Sequence, residues 1–192
     1  MKTISRTELL GTLEQRVEKH ITQCITVFQN LSDEKLLKPA VDGGWSIAQC
    51  LEHLNSYGRY YLPAIQRAIF HPSGNGSNQK FTSGWLGNYF TRMMEPGTSA
   101  KKYRSPKNHV PVPQLDAQAV VAEFIQQQEQ MIQYLRTAKA IDISATRVPI
   151  SLSKWIRLKL GDTFCFVIAH NERHLQQAKR LLMKKDVDAP AV

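Results

Sequence analysis

Trp45-Ser46-Ile47-Ala48-Gln49-Cys50-Leu51-Glu52-His53-Leu54 carries the strongest helix-start signal in the chain. Ser46 and Gln49 have capping-box spacing: the serine oxygen accepts from the backbone N–H three residues on, and the glutamine side chain accepts from the serine's own N–H. Trp45 before the cap and Cys50 after it stand where a hydrophobic staple fixes the chain's entry angle. Ile47, Leu51, Leu54 and Tyr61 then recur at helical intervals towards Phe70. Pro63 lies inside the segment. It lacks an N–H and crowds the preceding turn, so a kink or break is expected there.

Three further segments share this periodicity. Ser5 with Glu8 has the capping-box pattern, and Leu10, Leu13, Val17, Ile21, Cys24, Phe28 and Leu31 form one apolar stripe over about seven turns. Lys38-Pro39 and Asp42-Gly43-Gly44 return the chain to a loop. A third helix is expected to cap at Asp116, with Val121, Phe124, Gln128, Met131 or Ile132, and Leu135 along its inner face. A fourth is expected to cap at Asp162 after Gly161 and to run to about Met183, with Lys184 and Lys185 at its negative dipole end. Arg147–Ile150 and Trp155–Leu160 are short runs interrupted by Pro149, so 139–160 reads as irregular rather than as a sheet. Four long amphipathic helices without convincing strands predict an all-α four-helix bundle, a single domain over 1–192. Its long irregular insertion, 73–113, falls between the second and third helices. Within it Trp85–Met94 predicts a short helix, anchored by Trp85, Tyr89 and Phe90.

Composition narrows the function classes. The chain has 192 residues, 42% hydrophobic and 21% charged, enough for one core without covalent staples. Cys24, Cys50 and Cys165 are odd in number and show no CxxC spacing, which argues against a disulfide framework or a cysteine zinc site and fits the cytoplasm. The longest apolar run, Phe164–Ala169, is far short of a membrane span, and the charged N-terminal region has no secretory h-region. The net charge is +9, but Lys101-Lys102-Arg104-Lys107, Lys154-Arg157-Lys159 and Lys179-Arg180-Lys184-Lys185 are modest clusters that read as solvated faces. No helix-turn-helix, RNA-binding or zinc-finger pattern accompanies them, so no specific nucleic acid is expected as partner. The expected partners are a small-molecule substrate and a second copy of the chain.

The chemistry concentrates in histidines. His170 and His174 are four residues apart on the fourth helix, a rotation of about 400°, so both imidazoles leave the same face one turn apart. They lie on its inward stripe, where buried imidazoles need partners. His53 can face the interior from the second helix and is the natural third ligand. Three neutral imidazoles leave coordination positions open, the arrangement of a catalytic metal site for zinc, nickel or iron. His170-Asn171-Glu172-Arg173-His174 is not a zinc-protease helix, because Asn171 stands where the general-base glutamate belongs and Glu172 points away. His20, His71 and His109 read as surface or packing residues. Trp45, Cys50, Tyr57 and Tyr60 surround His53 in sequence and are the candidates for the cofactor or substrate pocket. No residue is marked as general acid or base.

Trp45 to Leu54 resembles the tryptophan-serine-initiated helix of the DinB-like (DinB/YfiT) superfamily, which carries that family's first metal-binding histidine. Phe166 to Leu182, with His170, His174, Gln177 and Arg180, is similar to its last helix. The resemblance covers most of the chain and implies a four-helix bundle with a divalent metal, zinc or nickel, on His53, His170 and His174. It further implies a metal-dependent enzyme acting on small molecules: an S-transferase or isomerase using a low-molecular-weight thiol cosubstrate, or a hydrolase. The alternatives are a non-catalytic, stress-related metal- or ligand-binding module, and a basic DNA-associated protein.

Overall fold

The computed structural model describes residues 3–74, 76, 78–97 and 104–183. Lys101 and Lys102 of one basic cluster and Lys184 and Lys185 of another lie outside them. Helices α1 (Arg6–Gln23), α3 (Ile47–Phe70), α5 (Ala117–Thr137) and α6 (Leu160–Met183) form the bundle, with short helices α2 (Asp33–Leu37) and α4 (Trp85–Met94) beside it. α1 packs on α5 and α6, and α3 packs on the same two. α1 and α3 are therefore diagonal, as are α5 and α6, so the α1–α3 and α5–α6 connections cross the bundle, whereas the α3–α5 connection joins neighbours. Among the described residues no helix is long and apolar enough to cross a membrane.

Two helix starts follow their sequence signals. The Ser46 capping box is formed in both directions, and the Asp116 carboxylate accepts from the Ala119 N–H at 3.0 Å. Of the kink or break expected at Pro63, the break does not occur: α3 runs unbroken through the proline. Tyr61, Leu62, Ala64 and Ile65 around the proline are all buried, and their packing outweighs one lost backbone bond.

Other ends differ from expectation. Ser5 makes no side-chain cap; it belongs to strand β1 (Thr3–Ser5), antiparallel to β2 (Lys80–Thr82), and the Arg6 N–H donates to the Gln79 carbonyl. A strand from the insertion thus takes the capping serine's place. The α1 stripe holds, but the helix widens into a π-turn over Cys24–Phe28.

The stretch 139–160 is not irregular throughout. β3 (Arg147–Ile150) and β4 (Ser153–Lys159) form an antiparallel hairpin whose register slips at Pro149/Ile150. A two-stranded ribbon tolerates proline because each strand has a free edge. Val148 and Leu158 point into the core. α6 starts before Asp162, because the hairpin region supplies its first acceptors: Leu160 donates to Thr146 O and Gly161 to Ile143 O. The buried Asp162 carboxylate instead accepts from the Ser83 hydroxyl and the Gly84 N–H, at the start of α4. The insertion is therefore fastened by α6. Trp85 and Tyr89 do not anchor it, being 74% and 53% exposed; Phe90 does, against Phe166.

The core has two apolar halves. One gathers Leu10, Leu13, Val17, Tyr61, Leu135 and Phe164; the other gathers Cys24, Phe28, Leu51, Leu54, Phe124 and Leu175. Between them every bundle helix contributes a buried polar residue: His20, Asn55, Gln127 with Gln128, and Asn171. Asn171 donates to Gln128 at 3.0 Å, Gln127 to the Asn55 carbonyl at 3.2 Å, and Asn55 to the Val120 carbonyl at 2.9 Å. The candidate site adjoins this level, between α3 and α6.

Candidate metal centre

α3 presents His53 seven residues into its capped start, and α6 presents His170 and His174 one turn apart. One ring nitrogen from each lies within 4.8 Å of the other two. His53 and His170 are buried, and His174 is partly so. The Nε2 atoms of His53 and His170 are 3.2 Å apart. Donors about 2.1 Å from one tetrahedral ion stand about 3.4 Å from each other, so this pair is already at ligand separation.

Hydrogen bonds fix how two of the rings face. His53 Nδ1 donates to the His109 carbonyl at 2.7 Å, which leaves its Nε2 lone pair on the inner side. His174 Nδ1 donates to Gln177 Oε1 at 2.9 Å, which does the same there. His170 Nδ1 is buried without a partner. Burial pushes His53 down to about 4 and His174 to about 3, and lowers His170 well below the usual imidazole range. All three rings are thus neutral near pH 7. Neutral imidazoles with inward lone pairs and an outward N–H held by the protein are what a divalent metal requires, so the residues fit such an ion.

The aromatic candidates divide. The Trp45 ring lies 4.8 Å from that of His53 and 6.0 Å from that of His174, covering one side of the trio. Tyr57 covers another, with its ring 5.1 Å from His53 and 4.5 Å from His170. Burial raises its phenol to about 12, so it keeps its proton. Tyr60 is turned towards the hairpin and donates to the Ile150 carbonyl at 2.9 Å. Cys50 sits in the apolar core with its thiol pushed up to about 12 by burial, outside the histidine group.

His109 was a packing or surface residue on sequence grounds, and the structure gives it a larger part. It is buried; its carbonyl holds His53, its Nδ1 is 2.9 Å from the Ser56 hydroxyl, and its ring stacks on Tyr57 at 3.9 Å. Phe166 was likewise missed and stacks on His170. Its signal was available, since it stands one turn before His170 on the same face. His109 offered none, being a loop residue 56 positions from His53.

Among solved structures, the chain is similar to YfiT from Bacillus subtilis, described as a probable metal-dependent hydrolase with an unusual four-helix bundle topology. The TM-score is 0.56 at 11% identity, covering 91% of this chain and 86% of that one, a likeness of fold. Among curated proteins none matches the sequence. The sequence model of the DinB superfamily matches residues 16–178, a span that holds α3, α5, most of α6 and all three histidines. The chain belongs to the DinB superfamily.

Proposed function

We propose that this protein is a metal-dependent enzyme acting on a small molecule, with a divalent ion, zinc or nickel, held by His53, His170 and His174. The observation that carries the reading is the convergence of three neutral imidazoles, two with their outer N–H groups fixed by His109 and Gln177. A bound divalent ion supplies Lewis acidity there and lowers the pKa of a water or thiol that it holds. The protein's own contribution is positional. Trp45 and Tyr57 restrict solvent on two sides of the trio, and the Tyr57 phenol makes no hydrogen bond to any described residue. Holding its proton, it can donate to negative charge developing on a substrate oxygen or sulfur. The reaction is hydrolysis, or transfer to a low-molecular-weight thiol; the YfiT description supports the first and the superfamily resemblance both. The free cysteines Cys24, Cys50 and Cys165 support a cytoplasmic setting. A homodimer is the expected assembly, to be checked by sedimentation.

Elemental analysis of untagged protein purified without metal-affinity resin tests the reading. One zinc or nickel per chain, lost in His170→Ala, is the expected result. Equal metal content in wild type and variant overturns it. Cobalt substitution then separates the two chemistries. A visible spectrum that changes on adding a thiol supports the thiol cosubstrate, and a spectrum indifferent to thiols leaves water as the nucleophile. Bound metal with no turnover of ester, amide or thiol-acceptor substrates would make the chain a metal-binding module.

A further inference from the structure

A cavity of about 180 Å³ lies beside the histidine group, with Tyr57 and Phe166 standing between it and His170. Those two form its inner end and are buried; both rings contact that of His170. Most of its walls come from parts outside the four long helices: Phe90, Met93 and Met94 at the end of α4, and Ile150, Leu152 and Leu158 of the hairpin; Tyr61 of α3, Pro106 and Ser151 complete them. The wall is apolar apart from Ser151 and the Tyr61 hydroxyl, which accepts from the Ser151 N–H at 3.2 Å. At the exposed end stand Leu152, 64% exposed, and Arg104, the one ionisable cation in the lining among the described residues. Arg104 forms no ion pair among the described residues.

From this arrangement we infer that the cavity is a substrate compartment for a small amphiphilic carboxylate: an apolar body, aliphatic or single-ring, with an anionic end at Arg104. The volume matches about six water-sized groups, below that of a drug-sized ligand. A largely apolar lining gains from burying such a body, and the Arg104 guanidinium at the mouth is a fork for a carboxylate. The end remote from the carboxylate then reaches Tyr57 and Phe166, the two rings that contact His170, so the bond to be broken lies at the apolar end of the molecule. Only this last direction rests on the metal reading; the compartment itself does not.

The test uses metal-free full-length protein, so that no carboxylate can ligate an ion, with ¹³C-methyl methionine spectra as the readout. Octanoate is the probe and 1-octanol its uncharged counterpart. Octanoate is expected to shift Met93 and Met94 saturably while the core residue Met131 and the distal Met183 stay in place. Octanol is expected to bind about fivefold more weakly, and Arg104→Ala to weaken octanoate by about the same factor, with Arg104→Lys in between. Octanol binding as tightly as octanoate, an Arg104→Ala variant with unchanged octanoate affinity, or no saturable shift at Met93 and Met94 would each overturn the inference. Elemental analysis finding no metal would sink the metalloenzyme reading and leave this result standing.

Discussion

At the residue scale, His53 and His174 are each held through Nδ1 and keep Nε2 for the site. Loss of an outer hydrogen bond loosens a ligand without removing it. Gln177→Leu should therefore weaken metal binding by about tenfold, measured by competition with a chromophoric chelator, whereas His170→Ala should abolish tight binding. An unchanged affinity in Gln177→Leu would mean that the hydrogen bond does not orient the ring. How much of this was legible depends on where the partner sits. The His170–His174 pair was visible because helical rotation puts i and i+4 on one face, and Gln177 continued the same stripe. His53 could be placed by counting from the Ser46 cap. His109 was invisible, because no local pattern says which loop carbonyl will meet a ring 56 residues away. Cys50 shows the converse: adjacency in sequence did not bring its thiol into the histidine group.

At the element scale, the contact between α4 and α6 is tightly constrained. A Cβ built on Gly87 would lie 2.2 Å from Asp162 Cγ, and Asp162 also binds Ser83 and Gly84. Asp162→Ala should cost about 1–3 kcal/mol by freeing two donors at the start of α4. Gly87→Ala should force α4 off α6 in the wild type and be better tolerated when Asp162 is glycine, because the Asp162 Cβ is itself within clashing distance. A double-mutant cycle by urea unfolding checks this; strict additivity of the two changes would refute the close fit. The same contact explains which helix ends could be read from sequence. Ser46 and Asp116 cap their own helices, a local decision. Ser5 and Asp162 carry equally good local signals, but a strand and a loop from elsewhere in the chain reach those groups first. The β3–β4 hairpin was illegible for a related reason: a ribbon with free edges relaxes the proline rule used to reject it.

At the scale of the whole molecule, the polar layer between the core halves makes stability depend on pH. Burial holds His20 down to about 4, against an ordinary 6.5. As pH falls through 6.5 the unfolded chain takes up a proton that the native chain refuses until about 4, so stability is complete above 6.5 and drains away between the two. The share of His20 is about 3 kcal/mol across that window. The urea midpoint of metal-free protein should fall from pH 7 to pH 4.5, and His20→Leu should flatten the decline. An equally steep decline in that variant would assign the effect to other groups. The bundle itself was legible from four apolar stripes, but the crossing connections were not, since periodicity says which face is buried and not which helix covers it. The placement of the three tryptophans has an optical consequence. Trp85 and Trp155 are 74% and 93% exposed, so acrylamide should extinguish their emission readily, whereas Trp45, against His53 and His174, is shielded. Light surviving the quencher then comes mainly from Trp45, and a paramagnetic ion entering the trio should darken that remainder, so an unlabelled sample can report its own loading.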